Sequence, residues 1–200
     1  MKKVVLSNMM NLIKSNNNFD EEKLEEIEYG LESIYLTFTK LIIIFSLSYI
    51  LGILKEVILL SIFYNIIRIT AYGLHASKSI HCLIMSSTMF IGGVYICNYI
   101  HITLFIKIII SLLCIYFVYK YAPADTHKRP LINAKKRRKL KIISLISATI
   151  FTILIIIYSD NIISNYLLVG MIESVIMIHP LVYKLLKLPY NNYKNYNYGV

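Results

Sequence analysis

The chain has 200 residues, of which 57% are hydrophobic, and its mean hydropathy is +0.62. Its length suits one compact domain and is too short for two of ordinary size. The apolar share lies well above that of soluble domains, so the composition excludes an ordinary soluble globular protein. Lysine and arginine number 21 against 11 acidic residues, which gives a formal net charge of +10. We therefore expect an integral membrane protein with many basic residues.

Two amphipathic helices are predicted at the N-terminus, over residues 1–35. The first covers residues 1–14 and ends at the polar linker 15–18. Asp20 is the expected N-cap of the second helix, whose acidic first turn suits the helix dipole. Such helices are expected to lie at the membrane surface or to dock on the bundle.

Long apolar runs follow the N-terminal helices. A helix needs about 20 apolar residues to cross roughly 30 Å of hydrocarbon, and most of the runs reach or approach that length. They cover residues 41–54, 57–67, 80–100, 102–119, 142–158 and 162–182. The predicted fold class is all-α, a polytopic transmembrane helical bundle.

Lysine and arginine residues set the predicted orientation of this bundle. Nine of the 21 lie in residues 120–141, and cytoplasmic loops collect such charge. Lys184, Lys187 and Lys194 place the C-terminus on the same side, which agrees with two spans after the loop. Counting spans backwards places residues 68–80 in the cytoplasm as well.

The number of spans before residue 68 is left open by Lys55 and Glu56. Residues 36–54 and 57–73 give six spans in all if they cross separately, with a cytoplasmic N-terminus. Alternatively, 41–67 is one long span, which gives five spans and an external N-terminus. Six spans are favoured because they keep the basic residues of the N-terminus inside.

Three regions are therefore predicted. Residues 1–35 form the N-terminal amphipathic helices, and residues 36–189 form the transmembrane domain with its cytoplasmic basic loop, 120–141. Residues 190–200, rich in tyrosine and asparagine, are predicted to be a disordered tail.

The segment 68–82 carries the groups that suit nucleophilic chemistry. A catalytic thiol needs a base and surroundings that favour the thiolate. Cys82 opens a predicted span, where a helix N-terminus favours negative charge, and His75 is the candidate base. On an unbroken helix the two would lie about 10 Å apart along the axis, so the chain between them must fold back. The alternative is an ordinary apolar cysteine and an interfacial histidine.

Other polar residues allow structural or functional interpretations. Cys97 and Cys114 lie in apolar runs, and the cysteine spacing indicates neither a zinc site nor a disulfide framework. Asp125 is expected to serve as an N-cap or in a turn beside Pro123 rather than to orient the candidate base. Glu173 lies inside the last predicted span, where an ionisable group is costly and suggests function.

Three stretches of the chain are characteristic of one family when taken together. The first is a catalytic region that matches in order and spacing at Arg68, Gly73, His75, Ala76 and Cys82. The second is the string Tyr121 to Thr126 with Pro130 beyond it, and the third is the basic run Lys135 to Lys139. In these stretches, and in its length and span pattern, the sequence resembles the accessory gene regulator B (AgrB) family of Gram-positive quorum-sensing systems.

The resemblance implies a multi-pass cell-membrane cysteine endopeptidase with its site on the cytoplasmic side. Cys82 would be the nucleophile and His75 its base, while Arg68 and Gly73 would shape the turn between them. The enzyme would cleave a small AgrD-like signal-peptide precursor on the C-terminal side of the signal, through a thioester on Cys82. A thiol or hydroxyl within the peptide would then close a cyclic thiolactone or lactone, the autoinducing peptide.

The predicted partners are the peptide precursor and membrane lipid, with a homodimer left open and no nucleic acid. The candidate docking residues for an acidic precursor segment, which equally suit an anchor on anionic lipid, are Lys135, Lys136, Arg137 and Arg138. No cofactor and no metal site is predicted.

Two other functions compete with the peptidase. One is a small membrane transporter or exporter of a peptide without proteolytic chemistry, with Glu173 and Arg68 lining the path. The other is a membrane adaptor that recruits a partner through its acidic N-terminal helix.

Overall fold

The structure, a computed structural model, describes residues 2–16, 19–74, 79–126 and 130–195. Within these ranges the backbone is helical without named strands, apart from one isolated parallel bridge between Tyr72 and Ala124. The helices are α1 (Lys2–Asn16), α2 (Glu21–Ile50), α3 (Leu54–Ala71), α4 (Ser79–Tyr99), α5 (Leu104–Tyr121), α6 (Ala134–Ile157), α7 (Ile163–Ile178), α8 (Pro180–Leu185) and a 3₁₀ helix at Asn192–Asn195. The predicted all-α class is confirmed.

The first compact unit, residues 1–51, contains α1 and α2. The Asp20 side chain accepts a hydrogen bond of 3.0 Å from the Lys23 amide, so the predicted N-cap is confirmed. Helix α2 then continues without a break from its acidic first turn to Ile50. The predicted boundary at residue 35 is therefore not a helix end, because no proline interrupts the helical sequence there.

The alternative of one long helix over 41–67 is not formed. Helix α2 ends at Ile50, Gly52 has a φ of 73°, and α3 begins at Leu54. A backbone in this left-handed region suits glycine and ends a helix.

In the described ranges, four helices are long and apolar enough to cross a membrane, as is typical of a membrane protein. They comprise Gly30–Ile50 within α2, Ile80–Tyr99 within α4, and the helices α5 and α6. Helix α7 has only 16 residues, and α3 carries the charged side chains of Lys55, Glu56 and Arg68. The favoured count of six spans, which needs α3 and α7, stays a prediction.

Helix α7 is the centre of the second unit, residues 52–200. Twelve of its 16 residues are buried, and it contacts α3, α4, α5 and α6. A Cβ atom at Gly170 would lie 3.1 Å from the Tyr64 backbone nitrogen, and the Ser174 hydroxyl donates to the Tyr64 carbonyl at 3.1 Å. Small residues thus let α7 approach the α3 backbone closely, as is common between membrane helices.

Candidate active site

The candidate site begins at the turn after α3, which has an unusual backbone. Tyr72 has a φ of 58° and Gly73 a φ of 116°. Three backbone hydrogen bonds fix this turn to its neighbours. The Gly73 amide donates to the Ala124 carbonyl at 2.7 Å, the Ala124 amide donates to the Ala71 carbonyl at 2.9 Å, and the Leu74 amide donates to the Met177 carbonyl at 3.0 Å. The end of α3, the loop after α5 and the end of α7 therefore meet at residues 72–74.

Arg68 fixes the same turn from within α3. Its Nη2 donates to the Leu74 carbonyl at 2.6 Å, and its Nε donates to the Tyr64 hydroxyl at 3.0 Å. A Cβ atom at Gly73 would collide with Arg68 Nη1 and with the Met177 carbonyl. Both the positive φ and the lack of space therefore require glycine at position 73.

Cys82 is the fourth residue of α4 and the most accessible of the three thiols. Its side chain is half-buried, whereas Cys97 and Cys114 are buried, and all three are free cysteines. His75, the predicted base, lies outside the described residues. Leu74, which directly precedes it, is almost fully buried and fixed by hydrogen bonds at both its amide and its carbonyl.

Tyr64 belongs to this group of polar residues, although the sequence analysis did not single it out. Its hydroxyl accepts from Arg68, and its ring packs edge-on against Phe90 of α4, the helix that carries Cys82, at 5.3 Å. The signal that could have revealed it is its spacing of four residues from Arg68, which places both side chains on one helix face.

Glu173 lies deeper in the bundle, about 6 Å along α7 from Met177 at ~1.5 Å per residue. It is 5% exposed, and among the described residues its Oε2 has no hydrogen-bond partner. A Cβ atom at Gly93 would lie 2.7 Å from its Oε1, so the carboxyl group packs directly on the backbone of α4. The structure therefore places Glu173 inside the helix bundle.

Asp125 supports the loop that contacts the turn. The residue is 1% exposed, and its carboxylate accepts from the backbone amides of Leu131 at 3.3 Å and of Asn192 and Tyr193 at 2.8 Å each. The Tyr183 hydroxyl donates to the Asp125 carbonyl at 3.2 Å. The predicted turn role of Asp125 is supported, and it extends to the C-terminal part of the chain.

The C-terminal residues differ from the predicted disordered tail. Residues 192–195 form a 3₁₀ helix, and Asn192 is 1% exposed. The Tyr190 ring packs on Tyr183 at 5.0 Å, and burial raises the pKa of Tyr190 to about 12. Residues 190–195 instead have specific contacts, because a buried carboxylate distant in sequence accepts from the amides of Asn192 and Tyr193. Residues 196–200 lie outside the described residues.

The basic run begins α6 and divides into two groups. Lys135, Lys136 and Arg138 are exposed. Arg137 is half-buried, donates to the carbonyls of Leu131 at 2.7 Å and Ile132 at 2.8 Å, and lies 4.0 Å from the centre of the Tyr193 ring. Of the four predicted docking residues, Arg137 thus has a structural role.

A shallow, open groove on one face of α6 combines basic and apolar side chains. Its volume is about 320 Å³, and it is lined by Lys135, Arg138, Lys139, Ile142 and Ile143. Cationic groups beside isoleucines suit a partner that is acidic and partly apolar.

A family model for Accessory gene regulator B matches residues 6–178. The chain belongs to the AgrB family. A putative AgrB-like protein of Clostridium acetobutylicum is 34% identical over 187 residues, covering 90% of this chain and 88% of that protein. The accessory gene regulator protein B of Staphylococcus aureus is 30% identical over 171 residues, covering 86% and 90%. No solved structure matches the chain.

The family match includes most of the residues described above. Arg68, Gly73, Cys82 and Asp125 all lie within residues 6–178, whereas the C-terminal residues that contact Asp125 lie beyond its end. The AgrB match therefore gives no information on residues 190–195, whose contacts alone indicate their role.

Proposed function

We propose that this AgrB-family protein is a membrane cysteine endopeptidase of the accessory gene regulator quorum-sensing system. Its substrate would be a small AgrD-like signal-peptide precursor, cleaved on the C-terminal side of the signal. Cys82 is the nucleophile and His75 the base. Arg68 and Gly73 position the turn that leads to the base.

The observation that carries the proposal is the half-exposed thiol in the first turn of α4. The first amides of a helix have no partner within the helix, and its dipole favours negative charge there. Cys82 therefore lies at a helix end, a position in which nucleophilic cysteines are commonly found. Cys97 and Cys114 are buried and do not have this environment.

The fixed turn at residues 72–74 supports the assignment of His75. Arg68, Ala124 and Met177 supply the hydrogen bonds that hold its backbone. Hence the base follows an anchored residue rather than a free loop. Precise placement of a base is worth several orders of magnitude in rate.

The reaction follows from these two groups. His75 takes the Sγ proton of Cys82, and the thiolate attacks the carbonyl carbon of the scissile peptide bond. The carbon–nitrogen bond breaks, the histidine gives its proton to the leaving amine, and the signal half remains on Cys82 as a thioester. A thiol or hydroxyl within that peptide gives its proton to His75 and attacks the thioester carbon, which closes the ring and breaks the carbon–sulfur bond to Cys82, so that Cys82 leaves as the thiolate.

The groove of Lys135, Arg138 and Lys139 is the proposed dock for an acidic segment of the precursor, together with Lys136. It lies at the start of α6, shortly after the loop that contacts the turn. Since these charges also favour the inner face of the membrane, we place the catalytic site on the cytoplasmic side.

A test of the proposal is capture of the covalent intermediate. Purified protein mixed with a precursor that lacks its ring-closing residue should form an adduct that neutral hydroxylamine removes, as expected of a thioester. The Cys82→Ala variant should form no adduct, and His75→Ala should form it at least about 100-fold more slowly, in line with the worth of a general base. Intact mass spectrometry measures the adduct.

The matched control is a Cys97→Ala/Cys114→Ala variant, which should form the adduct at the rate of the unmodified chain. Full cleavage by Cys82→Ala, or an adduct mapped to Cys97 or Cys114, would end the proposal.

Glu173 favours a second candidate function, the transport of a peptide. A buried carboxyl group whose Oε2 has no partner in the described part of the chain suits a path for polar groups through the bundle. The Cys82→Ala variant separates the two candidates, because a transporter without proteolytic chemistry would keep its activity.

A further inference from the structure

We propose that the C-terminal segment, residues 190–195, is part of the scaffold of the candidate active site. It holds Asp125, and Asp125 in turn is a positioning residue for the turn at residues 72–74. The inference deepens the proposed function and rests on it, because the turn that this scaffold fixes leads to His75.

The C-terminal segment supplies most of the hydrogen bonds to the Asp125 carboxylate. Oδ1 accepts from the Asn192 amide at 2.8 Å and from the Asn192 side chain at 3.4 Å. Oδ2 accepts from the Tyr193 amide at 2.8 Å and from the Leu131 amide at 3.3 Å. Without residues 192 and 193, the Leu131 amide would be the one donor that remains among the described residues.

Ring contacts hold the segment at this place independently of the carboxylate. The Arg137 guanidinium lies 4.0 Å from the centre of the Tyr193 ring, a cation–π distance. Tyr190 packs edge-on against Tyr183, whose hydroxyl donates to the Asp125 carbonyl. Burial raises the pKa of both phenols, so neither adds a negative charge beside the carboxylate at neutral pH.

A continuous series of hydrogen bonds connects Asp125 to the turn. Ala124, its neighbour in the chain, donates to the Ala71 carbonyl and accepts from the Gly73 amide. A Cβ atom at Gly73 would collide with Arg68 Nη1 and with the Met177 carbonyl, so these groups pack closely on the turn. A displacement of Asp125 is therefore passed to residues 71–74, which directly precede the proposed base in the sequence.

Removal of the segment would disturb Asp125 because this carboxylate is almost fully buried. A buried carboxylate that loses its hydrogen-bond donors either moves toward solvent or lets water enter beside it, because an unsatisfied buried charge costs much free energy. Either response shifts the loop 122–126. A misplacement of about 1 Å at a catalytic group can reduce the rate about 100-fold.

Two truncated chains test the inference as a matched pair. A chain that ends at Asn191 loses the donors of Asn192 and Tyr193 but keeps the Tyr190 ring on Tyr183, whereas a chain that ends at Asn195 keeps every contact described here. Both truncated chains carry Cys97→Ala and Cys114→Ala. Each is compared with a full-length chain that carries the same two substitutions.

The readouts are the rate of adduct formation at saturating precursor and the pH profile of Cys82 alkylation by iodoacetamide. The chain ending at Asn195 should match the full chain in both. The chain ending at Asn191 should form the adduct about 10- to 100-fold more slowly. Its alkylation profile should move to that of His75→Ala, because the thiol loses its histidine partner. A loss of fold stability alone would lower the amount of protein without moving this profile.

Equal rates and profiles for the two truncated chains would overturn the inference, as would a slower rate with an unmoved profile. If the shorter chain fails to insert into the membrane, the full-length Asp125→Asn variant is the test. This substitution replaces one acceptor oxygen by a donor, and it should move the alkylation profile in the same direction. An unmoved profile in that variant would also overturn it. The alkylation profile needs no precursor, so a failure of the proposed peptidase activity is recognised separately by the absence of any adduct.

Discussion

Gly73 is the residue at which backbone and packing constraints coincide. Its φ of 116° is one that side chains rarely adopt, and its missing Cβ atom leaves the space that Arg68 and the Met177 carbonyl occupy. Glycine loses more conformational entropy on folding than any other residue, so a glycine at this position indicates that two groups must approach each other closely. The need here is a turn that three elements contact at once.

We expect Gly73→Ala to reduce the rate of adduct formation about 100-fold or more, because the new methyl group displaces the Arg68 side chain or the turn. The control is Gly52→Ala, which also has a positive φ but open space around its Cβ position. That variant should lose only about 1 kcal/mol of stability from backbone strain and keep its rate. Similar rates for both variants would show that the collision at Gly73 is unimportant.

Arg68 and Tyr64 lead to a second prediction about single residues. Arg68→Lys should lose most of the activity, because an ammonium group cannot reach both the Leu74 carbonyl and the Tyr64 hydroxyl as the guanidinium does. Tyr64→Phe removes one of these bonds and should slow the adduct about tenfold, the equivalent of a net ~1.4 kcal/mol. The measurement is single-turnover adduct formation, and a Tyr64→Phe variant slower than Arg68→Lys would contradict this ranking.

At the scale of the helices, the sequence predicted what local patterns determine. Asp20 could be identified as a cap because capping depends on neighbouring residues, and the apolar runs predicted α4, α5 and α6 by their length. The Tyr72–Ala124 bridge and the contacts of residues 190–195 with Asp125 join segments distant in the sequence. No local pattern encodes such contacts, so the sequence indicated disorder where the structure has a 3₁₀ helix.

The packing of α4 on α7 gives a prediction with a control one residue away. A methyl group at Gly93 would lie 2.7 Å from both Glu173 Oε1 and Leu60 Cδ2, whereas nothing lies within 4 Å of the same position at Gly92. Gly93→Ala should therefore destabilise the bundle by about 1–3 kcal/mol, the usual cost of overpacking. Gly92→Ala should be neutral or slightly stabilising in a helix. Thermal unfolding in detergent measures both, and equal midpoints would contradict the assigned packing.

At the scale of the whole molecule, charge differs between the two ends of the second unit. Exposed basic residues begin α6 beside the candidate site, while Lys107 at the other end is 4% exposed. The Lys107 ammonium donates to the Ser159 carbonyl at 3.0 Å and to the Ser164 hydroxyl at 2.5 Å. This lysine is therefore part of the packing between α5 and the start of α7. Because its charge is buried and hydrogen-bonded, its position contradicts the predicted orientation much less than an exposed lysine would.

The orientation can be tested at the two ends of one helix. Helix α6 has 24 residues and is about 36 Å long at ~1.5 Å per residue, enough to cross the bilayer. Ala134 and Asp160 are exposed at or just beyond its ends. In a chain with Cys82, Cys97 and Cys114 changed to alanine, an impermeant maleimide applied to intact cells should label Asp160→Cys and leave Ala134→Cys unmodified. Both should react once the membrane is opened, which controls for accessibility. We expect this pattern because anionic lipid and the membrane potential favour exposed lysines and arginines on the inner side. The opposite labelling pattern would invert the predicted orientation and place the candidate site outside the cell.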